Sequence, residues 1–527
     1  MSENNQIDAA RQYHSGTKHS YLSVRLHPHA LDWENKPLLF KIYPTLEVTR
    51  LPRDFQHTGK PALSAIAATS VEPKGEAVPD LETLAQVLFF SAGVTRSKKH
   101  PEGETFFRAA ACTGALYEIE LYIVCRDLRS KIQPAGSLPA VPAGVYHFGA
   151  AEFGLRQLRS GDFRQVIVEA TGDDPSIAHA PVIIICTGTY WRNAWKYRSR
   201  TYRHFGWDNG TILGNCLAMS TAMSLPARVV AGFIDAQVNA LLDLDTSREV
   251  AFSLVSLGWT QSAPSAPPAV EPLALPVVPY SAKEVDYASM RKMHEASSLD
   301  SAAEVILWRG KTPSHEMPPA KETTSALLPL SDSRIPLDTI EQVISRRGST
   351  RQFSRDPITM AELSTMLDRA TRGIPADFID PPGSHLNDLY LIVNHVVGLD
   401  AGAYVYHWEE KFLELVKRGE FRNKAGYLGL EQQIPADAAV DVFFLADLKK
   451  ILERYGNRGY RAAQLEAGIL GGKLYLAAYA QKLGCSGLTF YDDDVVSFFS
   501  PHARGKSAIF LIALGRSASR KSDTSRR

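Results

Sequence analysis

The feature that most constrains the fold of this chain is an internal duplication. Residues 196–203 (KYRSRTYR) match residues 454–461 (RYGNRGYR) at one offset, since 455 − 197 = 258. The same offset pairs further residues along two separated stretches: Gly144 with Gly402, Tyr146 with Tyr404, Gly161 with Gly419, Phe163 with Phe421, Arg164 with Arg422, Gly210 with Gly468, Gly214 with Gly472, Leu225 with Leu483 and Asp235 with Asp493. A constant offset over such a distance indicates two copies of one domain.

A connector separates the two copies. Residues 260–280 are rich in proline, alanine and serine and have no helical or strand period, which is typical of an extended segment. A short helical patch around 282–309 follows, and then more Pro/Thr/Ser-rich sequence up to 335. We therefore predict an N-terminal extension over 1–80, a first domain over 81–258, a linker over 259–335, a second domain over 336–517 and a disordered tail over 518–527.

Each copy has the same predicted order of elements. Helices are expected over 81–90 and 360–369, and strands over 120–124, 145–148, 182–185, 390–393, 403–406, 440–445 and 508–514. Helices mixed with strands that are distant in sequence predict an α+β fold, with helices packed on a sheet. Glycines four residues apart in each long helix lie on one face. They favour a pseudo-twofold contact between the copies, although a tolerated small core residue explains either pair alone equally well.

Composition excludes several classes of protein. The 58 Lys and Arg against 57 Asp and Glu give a net charge of +1, without the basic excess of a nucleic-acid binder. The five cysteines are an odd number with no Cys-x-x-Cys spacing, and no His-Glu-x-x-His motif occurs, so we expect reduced thiols and no metal site. Residues 1–12 are polar, and the apolar run 181–186 is too short to cross a bilayer. We predict a cytoplasmic protein without a membrane span.

The most specific short motif, residues 347–351 (RGSTR), opens the second copy. Arg347 and Arg351 flank Ser349, and two guanidinium groups beside a hydroxyl suit a phosphate monoester. A solvated basic turn is the more common explanation of such a pattern on its own. Its position directly ahead of the helix at 360–369 favours the phosphate site.

Longer stretches carry a resemblance to a known family. Residues 346–353 (RRGSTRQF) and 454–494 (RYGNRGYRAAQLEAGILGGKLYLAAYAQKLGCSGLTFYDDD) resemble the FMN-dependent nitroreductase superfamily. Together with residues 13–20 (YHSGTKHS), 40–44 (FKIYP) and 51–53 (LPR), they are similar to its SagB/ThcOx branch, the azoline dehydrogenases. The resemblance implies two copies of the FMN-dependent nitroreductase fold that form an intrachain pseudo-dimer, with the flavin between them.

The resemblance also assigns roles to residues. Arg347, Ser349 and Arg351 match the family's phosphate and ribityl element, and Gly487, Leu488 and Thr489 match the place where a backbone N–H faces flavin N5. The loop 107–117 (FRAAACTGALY) matches the Pro-Ser-x-Gly-Ala loop and contributes Arg108, Cys112 and Gly114, with Ala111 and Cys112 where proline and serine are usual. A thiol is a weaker hydrogen-bond partner than a hydroxyl.

Lys196 and Tyr197 match the Lys-Tyr pair associated with catalysis in the azoline dehydrogenases. Lys196 is a candidate base because nearby Arg198 and Arg200 would disfavour its charged form, and Tyr197 could relay the proton. The alternative is a salt-bridge cluster at a helix entry, since Tyr455 repeats in the second copy as a core residue would. The adjacent carboxylates 492–494 are expected to cap a helix in solvent.

The first copy lacks the phosphate motif, because residues 62–72 (ALSAIAATSVE) contain no arginine. We therefore predict one FMN per chain and an oxidoreductase acting on a small-molecule or peptide substrate. The pseudo-dimer could assemble into a higher oligomer. Two alternatives stay open: reduction of nitro or quinone compounds with NAD(P)H, and a non-catalytic scaffold in which the flavin is structural or absent.

Overall fold

The computed structural model describes residues 3–26, 28–68, 71–101, 103–132, 134, 138–310, 312–313 and 324–518. Within these residues, each copy is built on one seven-stranded antiparallel sheet. The first sheet has the spatial order Thr49–Arg50, Gly154–Ser160, Gly144–Gly149, Ile119–Cys125, Val182–Thr189, Glu249–Leu257 and Ala227–Val230. The second has the order Thr324–Ala326, Phe412–Arg418, Gly402–His407, Asp388–Val393, Val440–Ala446, Ser507–Gly515 and Gly484–Leu488. The α+β fold and the tandem arrangement are confirmed.

Helices cover the sheets and fill the space between the copies. The first copy and its N-terminal extension contain Asp8–Gly16, Tyr21–Leu26, Ala62–Ala67, Leu81–Ala92, Arg164–Ala170, Pro175–Ala178, Tyr190–Tyr197, Thr201–Ala222 and Asp235–Leu241. The connector contains Ala288–Ala296 and Ala302–Trp308. The second copy contains Ile340–Arg346, Met360–Ala370, Arg422–Leu428, Gln433–Asp437, Leu448–Tyr455, Arg458–Ala480 and Asp492–Phe499. None of the described helices is both long and apolar enough to span a membrane.

Two smaller strand pairs accompany the main sheets. A two-stranded ribbon, Val94–His100 with Gly103–Arg108, leads into the loop that carries Cys112. A short parallel pair joins Ile358–Thr359 to Val396–Val397. Of the predicted tail, residues 519–527 lie outside the described part of the chain.

The two long helices, Thr201–Ala222 and Arg458–Ala480, pack against each other at their glycines. A Cβ added to Gly210 would lie 2.4 Å from the backbone of Gly468, and one added to Gly468 would lie 2.4 Å from the carbonyl oxygen of Gly206. No side chain fits at such a distance, so the glycines permit the close approach of the backbones. The contact confirms the predicted pseudo-twofold packing of the copies.

Two reciprocal ion-pair clusters join the copies on either side of these helices. Arg200 and Arg203 of the first copy bind Asp492 of the second, and Arg458 and Arg461 of the second copy bind Asp235 of the first. Burial alone would raise the pKa of both carboxyl groups, but the arginines hold each pKa below its usual range. The solvent-exposed cap predicted for residues 492–494 is therefore wrong for Asp492, which is buried.

Candidate active site

A cavity of about 440 Å³ lies between the two copies, beside the crossing of the long helices. Its volume falls in the range of small-molecule and cofactor sites. Nine of the residues predicted from sequence line it: Lys196, Tyr197, Cys112 and Gly114 from the first copy, and Ser349, Arg351, Gly487, Leu488 and Thr489 from the second. The fold thus brings together groups that are up to 377 residues apart in sequence, since 489 − 112 = 377.

The other two predicted residues, Arg347 and Arg108, do not line this cavity. Arg347 is buried, and its guanidinium donates to the carbonyl oxygens of Ala109 (3.0 Å) and Arg108 (2.7 Å). The Arg108 guanidinium donates in turn to the carbonyl oxygens of Ala92 and Ile119. Both side chains therefore fix the backbone that leads to Cys112, which leaves Arg351 as the arginine of the motif at the cavity.

The loop carrying Cys112 is held by the long helix of its own copy. Asp208 accepts hydrogen bonds from the backbone N–H (2.8 Å) and the hydroxyl (2.9 Å) of Thr113. The Cys112 Sγ lies 3.3 Å from Asp208 Oδ2 and 3.4 Å from Glu118 Oε2. Burial, followed by the neighbouring Asp208 and Glu118, raises the pKa of the Cys112 thiol well above its usual value. Cys112 is therefore a protonated hydrogen-bond donor rather than a thiolate.

Gly114 brings the same loop against Tyr197. Its φ of +66° lies in the left-handed region that favours glycine, and a Cβ there would be 2.9 Å from the Tyr197 hydroxyl oxygen. Burial, then Asp208 and Cys112, raise the pKa of Tyr197, so its hydroxyl stays protonated. The tyrosine is thus a hydrogen-bond donor at a position that Gly114 makes accessible.

Lys196 lies in the last turn of the short helix Tyr190–Tyr197 and is exposed at the cavity mouth, with Nζ 5.3 Å from the centre of the Tyr197 ring. Partial burial and the positive charge of Arg351 lower the pKa of its ammonium group. The neighbouring cation is thus Arg351 of the second copy, not Arg198 or Arg200 as the sequence indicated. Arg198 donates to the carbonyl oxygen of Pro28, and Arg200 binds Asp492.

Sequence reasoning did not identify seven further residues of the cavity wall: His204, Trp207, Asp208, Thr211, Gln432, Tyr475 and Phe510. Tyr475 connects two predicted elements, because its hydroxyl lies 3.1 Å from Ser349 Oγ and accepts from the Gly487 N–H at 2.6 Å. Comparing the two copies could have identified one of these residues. The offset of 258 pairs His204 with Ala462, just as it pairs Lys196 with Arg454, so the copies differ at both positions. Positions that differ between otherwise matching copies are candidates for function.

The pseudo-twofold relation between the copies makes one position, beside Tyr455, equivalent to the cavity beside Tyr197. Residues of the chain fill that pseudo-equivalent position. The Tyr455 hydroxyl, equivalent to that of Tyr197, lies 3.0 Å from the carbonyl oxygen of Phe378, and Trp308 of the connector donates to the Tyr455 carbonyl oxygen at 2.9 Å. Asp377 accepts from the backbone N–H groups of Ala231 (2.9 Å) and Gly232 (2.8 Å). At the offset of 258, these two N–H groups correspond to those of Thr489 and Phe490.

Comparison with known proteins agrees with this geometry. Residues 344–516 match the nitroreductase family, so the second copy is a nitroreductase-family domain. A protein of Methanocaldococcus jannaschii named as a nitroreductase is 27% identical over 165 residues, which are 30% of this chain and 81% of that protein.

The fold of the whole chain also has a solved counterpart. A crystal structure from Anabaena variabilis, likewise named as a nitroreductase, covers 97% of this chain and 99% of its own, with a TM-score of 0.75 and 25% identity. The Escherichia coli microcin synthetase McbBCD complex covers 49% of this chain and 97% of its own at 18% identity, but its TM-score of 0.30 is too low to support an inference.

Proposed function

We propose that this protein is an FMN-dependent dehydrogenase of the SagB/ThcOx type, which oxidises an azoline or a related peptide-derived substrate. One observation carries the proposal: a single cavity between the copies holds the Lys196–Tyr197 pair opposite Ser349 and Arg351. The nitroreductase-family domain supports an oxidoreductase. The resemblance of residues 13–20 and 40–44 to the azoline dehydrogenases supports the branch and a cytoplasmic enzyme of peptide modification.

The residues of the cavity fit FMN. Arg351 and the Ser349 hydroxyl would hold the phosphate, since a cation and a neutral donor suit a phosphate monoester. The Thr489 Oγ1 is buried without a hydrogen-bond partner in the described part of the protein, which is consistent with a polar ligand at the 487–489 loop. The Cys112–Gly114 loop would close the opposite side. When bound, FMN supplies the acceptor for a hydride.

The chain's own residues would handle the proton. We infer that Lys196 takes the proton from the substrate carbon next to the one that loses hydride, because it lines the cavity and its partial burial, which lowers its pKa, favours the neutral amine. The protonated Tyr197 hydroxyl, which Gly114 allows into the site, can donate a hydrogen bond to the substrate. The exposed position of Lys196 at the cavity mouth leaves room for a substrate that extends out of the site, as a peptide would.

We further propose one FMN per chain. Trp308, Asp377 and the connector occupy the pseudo-equivalent position, and no arginine lies in the first copy's counterpart of the RGSTR motif. The absorption spectrum of the purified protein tests whether flavin is bound and how many flavins each chain holds. One flavin per chain is expected, whereas two would refute the stoichiometry.

A second candidate, NAD(P)H-dependent reduction of nitro or quinone compounds, is favoured by the names of the similar proteins. Rapid mixing of the FMN-loaded protein with NADPH separates the two: fast bleaching of the flavin supports the reductase, and oxidation of a thiazoline with oxygen as acceptor supports the dehydrogenase. A colourless protein that added FMN does not stabilise would instead favour the non-catalytic scaffold.

A further inference from the structure

His204 is a cavity residue with an unused hydrogen-bonding atom. It lies in the first turn of the helix Thr201–Ala222 and is buried, with its ring edge-on to the Tyr197 ring at 4.7 Å. Its Nε2 has no partner among the described residues. Leaving a buried polar atom unpaired destabilises a protein, because the atom has lost its hydrogen bonds to water. The missing partner is therefore to be sought in the molecule that occupies the cavity.

The surroundings determine which nitrogen carries the proton. The His204 Nδ1 lies 2.8 Å from the Oδ1 of Asn193, which also accepts from the Thr201 hydroxyl at 2.9 Å. The Asn193 amide nitrogen faces the carbonyl oxygen of Thr113 at 3.5 Å, which is consistent with this orientation of the amide. An amide oxygen only accepts, so Nδ1 carries the proton and Nε2 presents its lone pair. Burial and Arg200 lower the pKa of the imidazole well below its usual value, which keeps it neutral.

The second copy shows that packing does not require this imidazole. The equivalent position is Ala462, since 204 + 258 = 462, and Ala462 is fully buried in the matching helix. By contrast, Arg200 and Arg203 of the first copy have equivalents in Arg458 and Arg461 of the second. Each arginine pair binds an aspartate of the other copy, so both copies need it. The histidine occurs only on the side that has the cavity.

We propose that His204 is a substrate-recognition residue, whose Nε2 accepts a hydrogen bond from an N–H or O–H group next to the reacting part of the substrate. The inference rests on the proposed function in one respect: in an azoline peptide, the amide N–H that follows the ring is such a donor. An acceptor that is fixed in its tautomer and neutral selects donors and disfavours ligands that lack one, because Nε2 would then stay unpaired.

Matched ligands with and without a donor test this role. The first pair is 2-methylthiazoline-4-carboxamide and its N,N-dimethyl amide, and the second is 4-nitrobenzamide and its N,N-dimethyl amide. Each is titrated into FMN-loaded protein, and Kd is read from the change in the flavin spectrum. We expect the wild-type protein to bind the N–H ligand of a pair about 10-fold more tightly, as one net hydrogen bond allows.

The variants separate recognition from folding. His204→Ala should abolish the preference while FMN content and Tm stay as in the wild type, because the second copy folds with alanine at this position. His204→Gln should restore part of the preference for the N–H ligand, since the glutamine amide oxygen can accept a hydrogen bond. His179→Ala is the control, because His179 stacks on Trp259 and does not line the cavity.

The outcomes distinguish this inference from the proposed function. A His204-dependent preference for the thiazoline carboxamide supports both. The same preference seen only with the nitrobenzamides supports His204 and refutes the azoline substrate. No preference in the wild type with either pair, a preference that persists in His204→Ala, or loss of FMN in that variant overturns the role of His204.

Discussion

Replacing Gly114 with alanine tests whether the reaction depends on the position of the Tyr197 hydroxyl. The new Cβ would lie 2.9 Å from that oxygen and 3.1 Å from a ring carbon. Non-bonded carbon contacts are favourable at about 3.5 Å, so the ring has to move by about 0.5 Å. Since a misplacement of about 1 Å can cost about 10²-fold in rate, we expect kcat to fall about 10-fold. The assay is aerobic turnover of 2-methylthiazoline-4-carboxamide by FMN-loaded protein.

Gly59→Ala is the matched control. Gly59 has the same φ of +66°, but nothing lies within 4 Å of a Cβ added there. Both alanines incur the left-handed backbone cost of about 1–2 kcal/mol, and Gly114→Ala adds the close contact with Tyr197. It should therefore lower the free energy of unfolding at least as much as Gly59→Ala does. Only Gly114→Ala should lower kcat. A wild-type kcat for Gly114→Ala, or an equal loss in Gly59→Ala, would show that the hydroxyl position is irrelevant.

Further outcomes follow from the same site and from the interface. Lys196→Ala should lower turnover by about 10²-fold or more without flavin loss, whereas Arg454→Ala at the equivalent position should leave turnover unchanged; equal effects would exclude Lys196 as the base. FMN titrated into apoprotein should saturate at one per chain because Trp308 fills the opposite position, and saturation at two would contradict this. The depressed pKa values of Asp235 and Asp492 give stability that is complete above the unfolded pKa of about 3.9 and lost as the pH falls below it. Thermal unfolding between pH 3 and 6 should therefore depend less steeply on pH in Asp492→Asn, and an unchanged slope would contradict the ion-pair account.

The fold could be predicted from the sequence because the duplication repeats both the apolar strand segments and the glycines of the long helix. A single offset, however, does not align every residue. The structural counterpart of Asp235 is Asp492 rather than Asp493, because both begin a helix and both bind an arginine pair of the other copy. The segment from the edge strand to the next helix is one residue shorter in the second copy, running from Leu488 to Asp492 rather than from Val230 to Asp235.

The site was harder to predict, because sequence neighbours are not the neighbours that set its chemistry. Arg198 and Arg200 follow Lys196 directly, yet the arginine that lowers the Lys196 pKa is Arg351, 155 residues away by 351 − 196 = 155. His204 lies on a helix that is buried on all sides, where hydrophobic periodicity cannot separate a core residue from a cavity residue. Both assignments need the packing of one copy against the other.

The duplication explains why the functional groups are distributed as they are. In a symmetric dimer of one domain, each copy would have to carry every residue of the site. In this tandem chain the connector closes one of the two equivalent positions through Trp308, so each copy can specialise. Lys196 and His204 occur only in the first copy, and Ser349 and Arg351 only in the second, while the arginines and glycines of the interface occur in both. The interface residues are therefore repeated, and most residues assigned to the reaction are not. Tyr197 is the exception, because it recurs as Tyr455, whose hydroxyl donates to the carbonyl oxygen of Phe378.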